Sequence, residues 1–411
     1  MASRQFYQTS STGESTTTSS SYQDKATLTF TPDANSTYLL LATWLQGQAS
    51  AGRVSYVQLY DATGSATLNE QVVDQKSADD YIPGGCAISV SFGSSPSEQT
   101  YKVQYKSGGG TNAKIKQVRL IAIKLGSNDQ TASSTDRSTY ATDTSLQDKV
   151  SKTFTPGSAG DYLILASAVY DASKVNIDAQ VQIDVDGTAQ YGSLLTRVNA
   201  TANRHGYLYF QKVTLTAASH TIKIRYATGN KSNTVGIAYA YLTLLRLSDF
   251  EGIVSASQDT EQSDTDGTKD HALTADFSSA AARDHLILAC GLQTTASGVA
   301  GGSVGLYEGS TDIGTDRIVP QYTGKYYPYF GSYYTTDPAN TYYVDVQTEN
   351  ASYATGVDDI RIYGLQLTAS VQNVTSSDSL LLKLGTESVS LAGALAASDS
   401  LLVKQGESIG L

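Results

Sequence analysis

The sequence predicts an all-β chain of three tandem antiparallel β-sandwich modules, jelly-roll-like in form, followed by a short repetitive C-terminal tail. Three observations carry this reading. Framework residues return at a nearly constant interval, Phe30, Phe154 and Phe277 standing 124 and 123 residues apart. Apolar residues alternate with polar ones at the period of a strand, as Val181, Ile183 and Val185 do with Gln182, Asp184 and Asp186. The composition suits pleated surfaces, with 28 Tyr beside 8 Phe, one Met and one Trp.

The repeat sets the module plan. Gln23-Asp24-Lys25, Thr29-Phe30-Thr31-Pro32 and Tyr38-Leu39-Leu40-Leu41-Ala42 return as Gln147-Asp148-Lys149, Thr153-Phe154-Thr155-Pro156 and Tyr162-Leu163-Ile164-Leu165-Ala166. A third, divergent copy keeps Asp276-Phe277-Ser278 and His285-Leu286-Ile287-Leu288-Ala289. Each copy closes on an apolar strand, Val118 to Leu125, Tyr241 to Leu247 and Ile360 to Leu367. The expected divisions are a flexible N-terminal arm at 1–14, modules at 15–126, 136–248 and 255–368, and a docking or assembly tail at 369–411. One-sided alternation, as in Ile222, Ile224 and Tyr226, marks strands with one face on a core and one in water. Continuous runs such as Tyr162 to Ala166 mark strands buried on both faces. Short strands between Gly, Asn and Asp turns, roughly eight to a module, fit a jelly roll. Phe30, Leu39, Leu41, Phe154, Leu163, Leu165, Phe277, Leu286 and Leu288 are the expected core.

Composition and motifs exclude several functions. A formal charge of −11 is the wrong sign for a nucleic-acid groove or an anionic membrane surface. Cys86 and Cys290 fall in different modules and lack metal-ligand spacing, so neither a disulfide framework nor a zinc site is expected. The four histidines sit in no hydrolase, zincin or phosphate-loop motif, and the chain is read as non-enzymatic. The start, Met1 to Phe6, lacks the apolar region of a signal peptide, so synthesis in a host cytoplasm without a secretion signal is expected.

Three candidate sites remain. Tyr322, Tyr326, Tyr327, Tyr329, Phe330, Tyr333 and Tyr334 form an aromatic cluster suited to a contact surface, either for a host glycan or for another protein. Asp264, Asp266 and Asp270 around Gly267 are weak candidates for calcium, with an Asp-Gly turn as the plainer reading. In the tail, Ser377-Asp378-Ser379-Leu380-Leu381-Leu382-Lys383 recurs as Ser398-Asp399-Ser400-Leu401-Leu402-Val403-Lys404. Its apolar positions Leu380, Leu382, Leu384, Val389, Leu391, Leu401 and Val403 need a surface to lie on, because two short units cannot bury their own faces.

The framework order, Phe-Thr-Pro followed by Tyr-Leu-Leu-Leu-Ala or Tyr-Leu-Ile-Leu-Ala, then Thr221-Ile222-Lys223-Ile224-Arg225-Tyr226 and a closing apolar strand, resembles modules of tailed-bacteriophage virion surface proteins. The resemblance spans residues 15–367 and is strongest in the second module; the third lacks the Thr-Pro after its phenylalanine. It implies a structural protein of the virion surface, a capsid decoration or head fibre or else a tail fibre, with other virion proteins and its own copies (a trimer, for example) as partners, and with no cofactor. Two other readings stand beside it. One is a carbohydrate-binding, adhesive protein of the cell surface; the other is an extracellular filament subunit that assembles by strand addition.

Overall fold

The computed structural model describes residues 4–367, apart from 51, 75–80, 142–144, 175–176, 191–193, 199–203, 230–232, 278–283, 296–301, 319–326, 336–339 and 349–353. Beyond these it describes 380–384 and 387–391. The chain divides into a body, Met1–Val371, and a separate unit, Gln372–Leu411.

The first module comprises β1 (Phe6–Ser11), β2 (Ser15–Thr17), β3 (Gln23–Phe30), β4 (Thr37–Gln48), β5 (Val54–Asp61), β6 (Ala66–Asp74), β7 (Tyr81–Ser91), β8 (Gln99–Ser107) and β9 (Ala113–Lys124). The second runs through β10 (Gln130–Ser134), β11 (Ser138–Ala141), β12 (Gln147–Phe154), β13 (Gly160–Ala172), β14 (Ile177–Val185), β15 (Thr188–Ala189), β16 (Leu194–Val198), β17 (His205–Leu215), β18 (His220–Thr228) and β19 (Thr234–Arg246). The third holds β20 (Ile253–Gln258), β21 (Gln262–Asp264), β22 (Asp270–Asp276), β23 (His285–Thr295), β24 (Gly302–Glu308), β25 (Thr311–Ile318), β26 (Tyr327–Thr335), β27 (Thr341–Thr348) and β28 (Thr355–Gln366).

Strand order makes each module a jelly roll. In the first, β1-β9-β4-β7, with β2 also on β9, faces β3-β8-β5-β6; the second and third repeat this as β10-β19-β13-β17 with β12-β18-β14-β15, and β20-β28-β23-β26 with β22-β27-β24-β25. All described pairings within these sheets are antiparallel. The recurrent Gln-Asp-Lys belongs to this frame. Register shifts at the same place in β3 and β12, and Asp24 and Asp148 then pair across to Lys102 and Lys223, both at 2.6 Å.

The modules stand side by side, not as beads in series. Leu40, Ala42 and Trp44 of β4 enter the first module's own core, whereas Leu39 and Leu41 join Leu163, Leu165, Leu286, Leu288 and Leu365 in one central cluster shared by all three modules. The run buried on both faces therefore serves two cores. The expected core residues are buried in this way, except Phe154, which packs half-buried at the margin.

A threefold pattern organises the centre. Register sets Thr43 opposite Gly85, Ser167 opposite Leu208 and Cys290 opposite Phe330, so the members of each trio are equivalent positions. A β-carbon on Gly85 would lie 2.9 Å from the Phe330 ring and 3.2 Å from Leu208. Around them runs a ring of hydrogen bonds. Thr43 Oγ1 and Ser332 Oγ share one at 2.7 Å, Ser167 Oγ donates to Ala87 O at 3.1 Å and accepts from Ala87 N, and Phe210 N donates to Cys290 Sγ at 3.4 Å. Ala87, Phe210 and Ser332 are again equivalent, opposite Leu41, Leu165 and Leu288. Each module thus bonds to the next in one cyclic sense.

The first residues correct the expectation of a flexible arm. Phe6 is fully buried in β1, and Arg4 pairs with Asp129 and, at 3.5 Å, with Asp249, while its guanidinium lies 4.4 Å above the Phe250 ring. The arm reads as low-complexity only because its alternation is short. Arg4 thereby holds both connections between modules at one end of the body, where Gln366 N also donates to Gly252 O at 2.9 Å. We call this the linker end.

Two measurements test the packing. Chemical denaturation should show that Gly85→Val costs about 1–3 kcal/mol by overpacking the axis, while Gly13→Ala, placed in open space, changes little; equal stability of the two variants rejects the axis contact. Phe30→Ala should cost about 3–5 kcal/mol through lost transfer energy and a cavity, and Phe154→Ala clearly less.

Candidate functional site

The seams between modules are where chemistry could gather, because strands of two modules meet there with polar groups on both sides. One position on the closing strand recurs as Arg119, Tyr241 and Arg361, opposite Thr43, Ser167 and Cys290. Two residues earlier, Gln117, Tyr239 and Asp359 each adopt a left-handed backbone, at φ 52°, 47° and 50°, and the register slips by a bulge beside them. A bulge bends a strand and re-aims its side chains. Arg119 Nη2 accordingly reaches Ile313 O of the third module at 2.8 Å, and Tyr241 OH reaches Leu68 O of the first at 3.3 Å. At the seam between the second and third modules, Tyr209 OH donates to Asp359 O, and Lys212 N donates to Tyr363 OH at 3.0 Å.

The aromatic cluster belongs to these seams. Tyr327 and Tyr329 are buried in the third module's core, and Phe330 is buried in the central cluster with Tyr334 packed against it. Tyr334 stacks on Phe6 at 5.3 Å, and the Arg119 guanidinium lies 5.3 Å over Tyr333. The expected exposed contact surface is therefore corrected: β26 lies between its own sandwich and the axis, so aromatic rings on both alternating faces find apolar neighbours. Tyr322 and Tyr326 lie outside the described residues.

The calcium candidates are also corrected. Asp264 is fully buried, and its two carboxylate oxygens accept hydrogen bonds from the backbone N–H groups of Asp266, Gly267 and Thr348. Asp266 accepts from Thr268 in the same way. The oxygens that would meet a cation already close a turn. Among the described residues no group of three metal-ligating side chains assembles.

At the turn after β14 the described residues approach catalytic geometry. Thr216 Oγ1 lies 3.0 Å from His220 Nε2, and His220 Nδ1 lies 2.6 Å from Asp186 Oδ2, the order of a nucleophile, base and orienting acid. The same carboxylate accepts the Thr221 N–H, and the same His nitrogen lies 3.2 Å from the Thr216 carbonyl, so the group clasps two neighbouring turns. The thiols are inert for a different reason. Burial pushes Cys290 up to about 12 and Cys86 higher still, and a thiol in that range is not a nucleophile at neutral pH. Among the described residues no helix is long and apolar enough to cross a membrane. In the separate unit, Leu380–Leu384 pairs with Glu387–Leu391 as a hairpin, setting Leu380 opposite Leu391 and Leu382 opposite Val389; Leu401 and Val403 lie outside the described residues.

No family model and no curated protein matches the sequence. Among solved structures, the chain is similar to one from an archaeal virus with a triple jelly-roll fold and turret assembly, at 9% identity over 85% of this chain and 84% of that one, with a TM-score of 0.20. It is similar to the infectious bursal disease virus Gx strain at 9% identity over 89% and 80%, TM-score 0.22. It is also similar to the tandem CBM22-1-CBM22-2 domain of Paenibacillus barcinonensis Xyn10C at 9% identity over 58% and 93%, TM-score 0.14. The jelly-roll assignment rests on this chain's own strand order.

One buried group gives these seams a pH dependence. His205 begins β17 beside Arg204, which bridges by backbone to Val72 of the first module, and its ring stacks on Tyr170 at 5.6 Å. Burial lowers its pKa from 6.5 to about 4. The folded state therefore favours the neutral ring, so the stabilisation is complete above the ordinary value and falls as pH drops through the folded one. Between pH 6.5 and 4, wild type should lose on the order of 3 kcal/mol relative to His205→Phe. Parallel stability–pH curves for the two proteins would contradict this.

Proposed function

We propose that this chain is a non-enzymatic structural protein of a virion surface, in which one polypeptide takes the place of a trimer. The observation that carries the reading is the closed ring of Thr43, Ser167 and Cys290, which ties three jelly rolls into one block through buried, equivalent contacts. The apolar outer faces of three sheets are used for mutual packing, which suits a rigid building unit better than a hinged catalyst. The resemblance of the repeated framework to tailed-bacteriophage surface modules supports the reading of a capsid decoration, head fibre or tail fibre. Modules running from β1 to β9, from β10 to β19 and from β20 to β28 make the block, and 369–411 is its assembly segment.

Docking is assigned to the linker end of the body, where β28 finishes at Gln366. The hairpin at 380–391 would add to a neighbouring sheet edge, which satisfies its backbone groups and buries alternate residues together. A short segment of this kind rarely holds a fold alone, since below about 40 residues a chain needs staples or partners.

The test uses the full chain and a truncation after Leu367. Both should melt together, both should contain the three-module block, and only the full chain should co-sediment with particles from a lysed host culture. Incorporation of the truncated chain at the wild-type level overturns the assembly role of the tail. Absence of the full-length protein from purified particles overturns the virion reading.

A further inference from the structure

The three seams are built from equivalent positions, yet their contents differ. At the seam between the third and first modules, Tyr333 and Tyr334 follow Ser332 on β26 and fill the space against β1 and β9, the second stacked on Phe6 and the first under Arg119. The corresponding residues at the seam between the second and third modules are Gln211 and Lys212, which follow Phe210 on β17. Where two aromatic rings close one seam, an amide and an amine leave another open. The result is a cleft of ≈ 240 Å³ walled by Gln211, Lys212 and Thr214 on one side and by Ser255, Ser257, Asp259, Arg361 and Tyr363 on the other.

We propose that this cleft binds a single ring of a neutral, polyhydroxylated ligand, a hexose unit of a glycan. Its charges cancel. Arg361 is buried and pairs with Asp259 at 2.6 Å, and Lys212 pairs with Asp161 at 2.9 Å, so neither cation is left for an anionic ligand. Its polar atoms are mixed: serine hydroxyls give and accept, and Asp259 accepts. Gln211 is 8% exposed, and its Oε1 has no hydrogen-bond partner, while its Nε2 is held by Lys212 O at 2.9 Å. A buried amide oxygen without a donor is costly, and turning the Gln211 side chain toward the cleft would let a ligand hydroxyl donate to it. The volume lies below the roughly 300–1,000 Å³ of drug-sized pockets, which fits one sugar ring and excludes a larger aromatic cofactor. The seam lies between two domains, where small-molecule sites are common.

The closest chemical rival is a free anion held by Lys212 and Arg361. Saturation-transfer NMR on the full chain, with a panel of D-glucose, D-galactose, D-mannose and N-acetyl-D-glucosamine, separates the two. At least one sugar should show transfer. The signal should fall at least fivefold in Gln211→Ala, and should vanish in Ser257→Trp, which fills the cleft from an exposed strand position, while both variants keep the wild-type melting temperature. Inorganic phosphate should leave the sugar signal unchanged. No transfer from any sugar in the panel, transfer retained by Ser257→Trp, or displacement of the sugar by millimolar phosphate would each overturn the proposal. None of these outcomes bears on incorporation into particles, so the site stands or falls apart from the virion reading.

Discussion

Burial of a second face on one sheet of every module is the constraint on which the rest of the body depends. An antiparallel sheet in a sandwich ordinarily has one face on the core and one in water. Here the sheets carrying β4, β13 and β23 have no wet face at their centres. Leu39, Leu163 and Leu286 look into the shared cluster, and each carries neighbours from the other modules. Taking these faces out of water stabilises the block by roughly 25 cal/mol for each Å² of apolar surface removed. The same burial then demands that every polar atom at the axis find a partner. Thr43, Ser167 and Cys290 meet that demand with side chains small enough to let the sheets approach.

Much of this was legible in the sequence. The spacing of Phe30, Phe154 and Phe277, the alternation in β14 and β18, and the unbroken apolar runs at Tyr38 and Tyr162 together specify three antiparallel sandwiches. The runs also carried the sign of the central cluster, since residues apolar on both parities need two apolar surroundings. What they could not show was the identity of the second surrounding. Local periodicity reports how many faces are buried and says nothing about which part of the chain covers them. The tyrosines of β26 illustrate this. Their density on both parities pointed to two contact faces, and the face assigned to an outside partner turned out to meet Phe6, Arg119 and the axis. The seam cleft was not legible, because Gln211 and Lys212 acquire meaning only when register aligns them with Tyr333 and Tyr334.

The bulges at Gln117, Tyr239 and Asp359 show how a strained backbone is used. A left-handed residue other than glycine is uncommon in a strand and costs of order 1–3 kcal/mol. In two of the three copies it turns Arg119 and Tyr241 toward a carbonyl of another module, and in the third, where Arg361 bonds within its own module, the Asp359 carbonyl accepts the Tyr209 hydroxyl of the second. Local strain is thus offset by contacts between distant parts of the chain.

The axis itself carries a consequence of covalent linkage. A trimer of identical subunits must place the same residue three times on its symmetry axis, and that residue has to fit beside two copies of itself. Gly85, Leu208 and Phe330 could not arise under that rule: three phenylalanines would collide and three glycines would leave a void. Joining the copies in one gene lifts the restriction, so that substitution in one module can be answered by a different substitution in the next. Covalent linkage makes what would otherwise be a symmetric oligomer interface into an ordinary protein interior, open to the same asymmetric refinement as any other hydrophobic core.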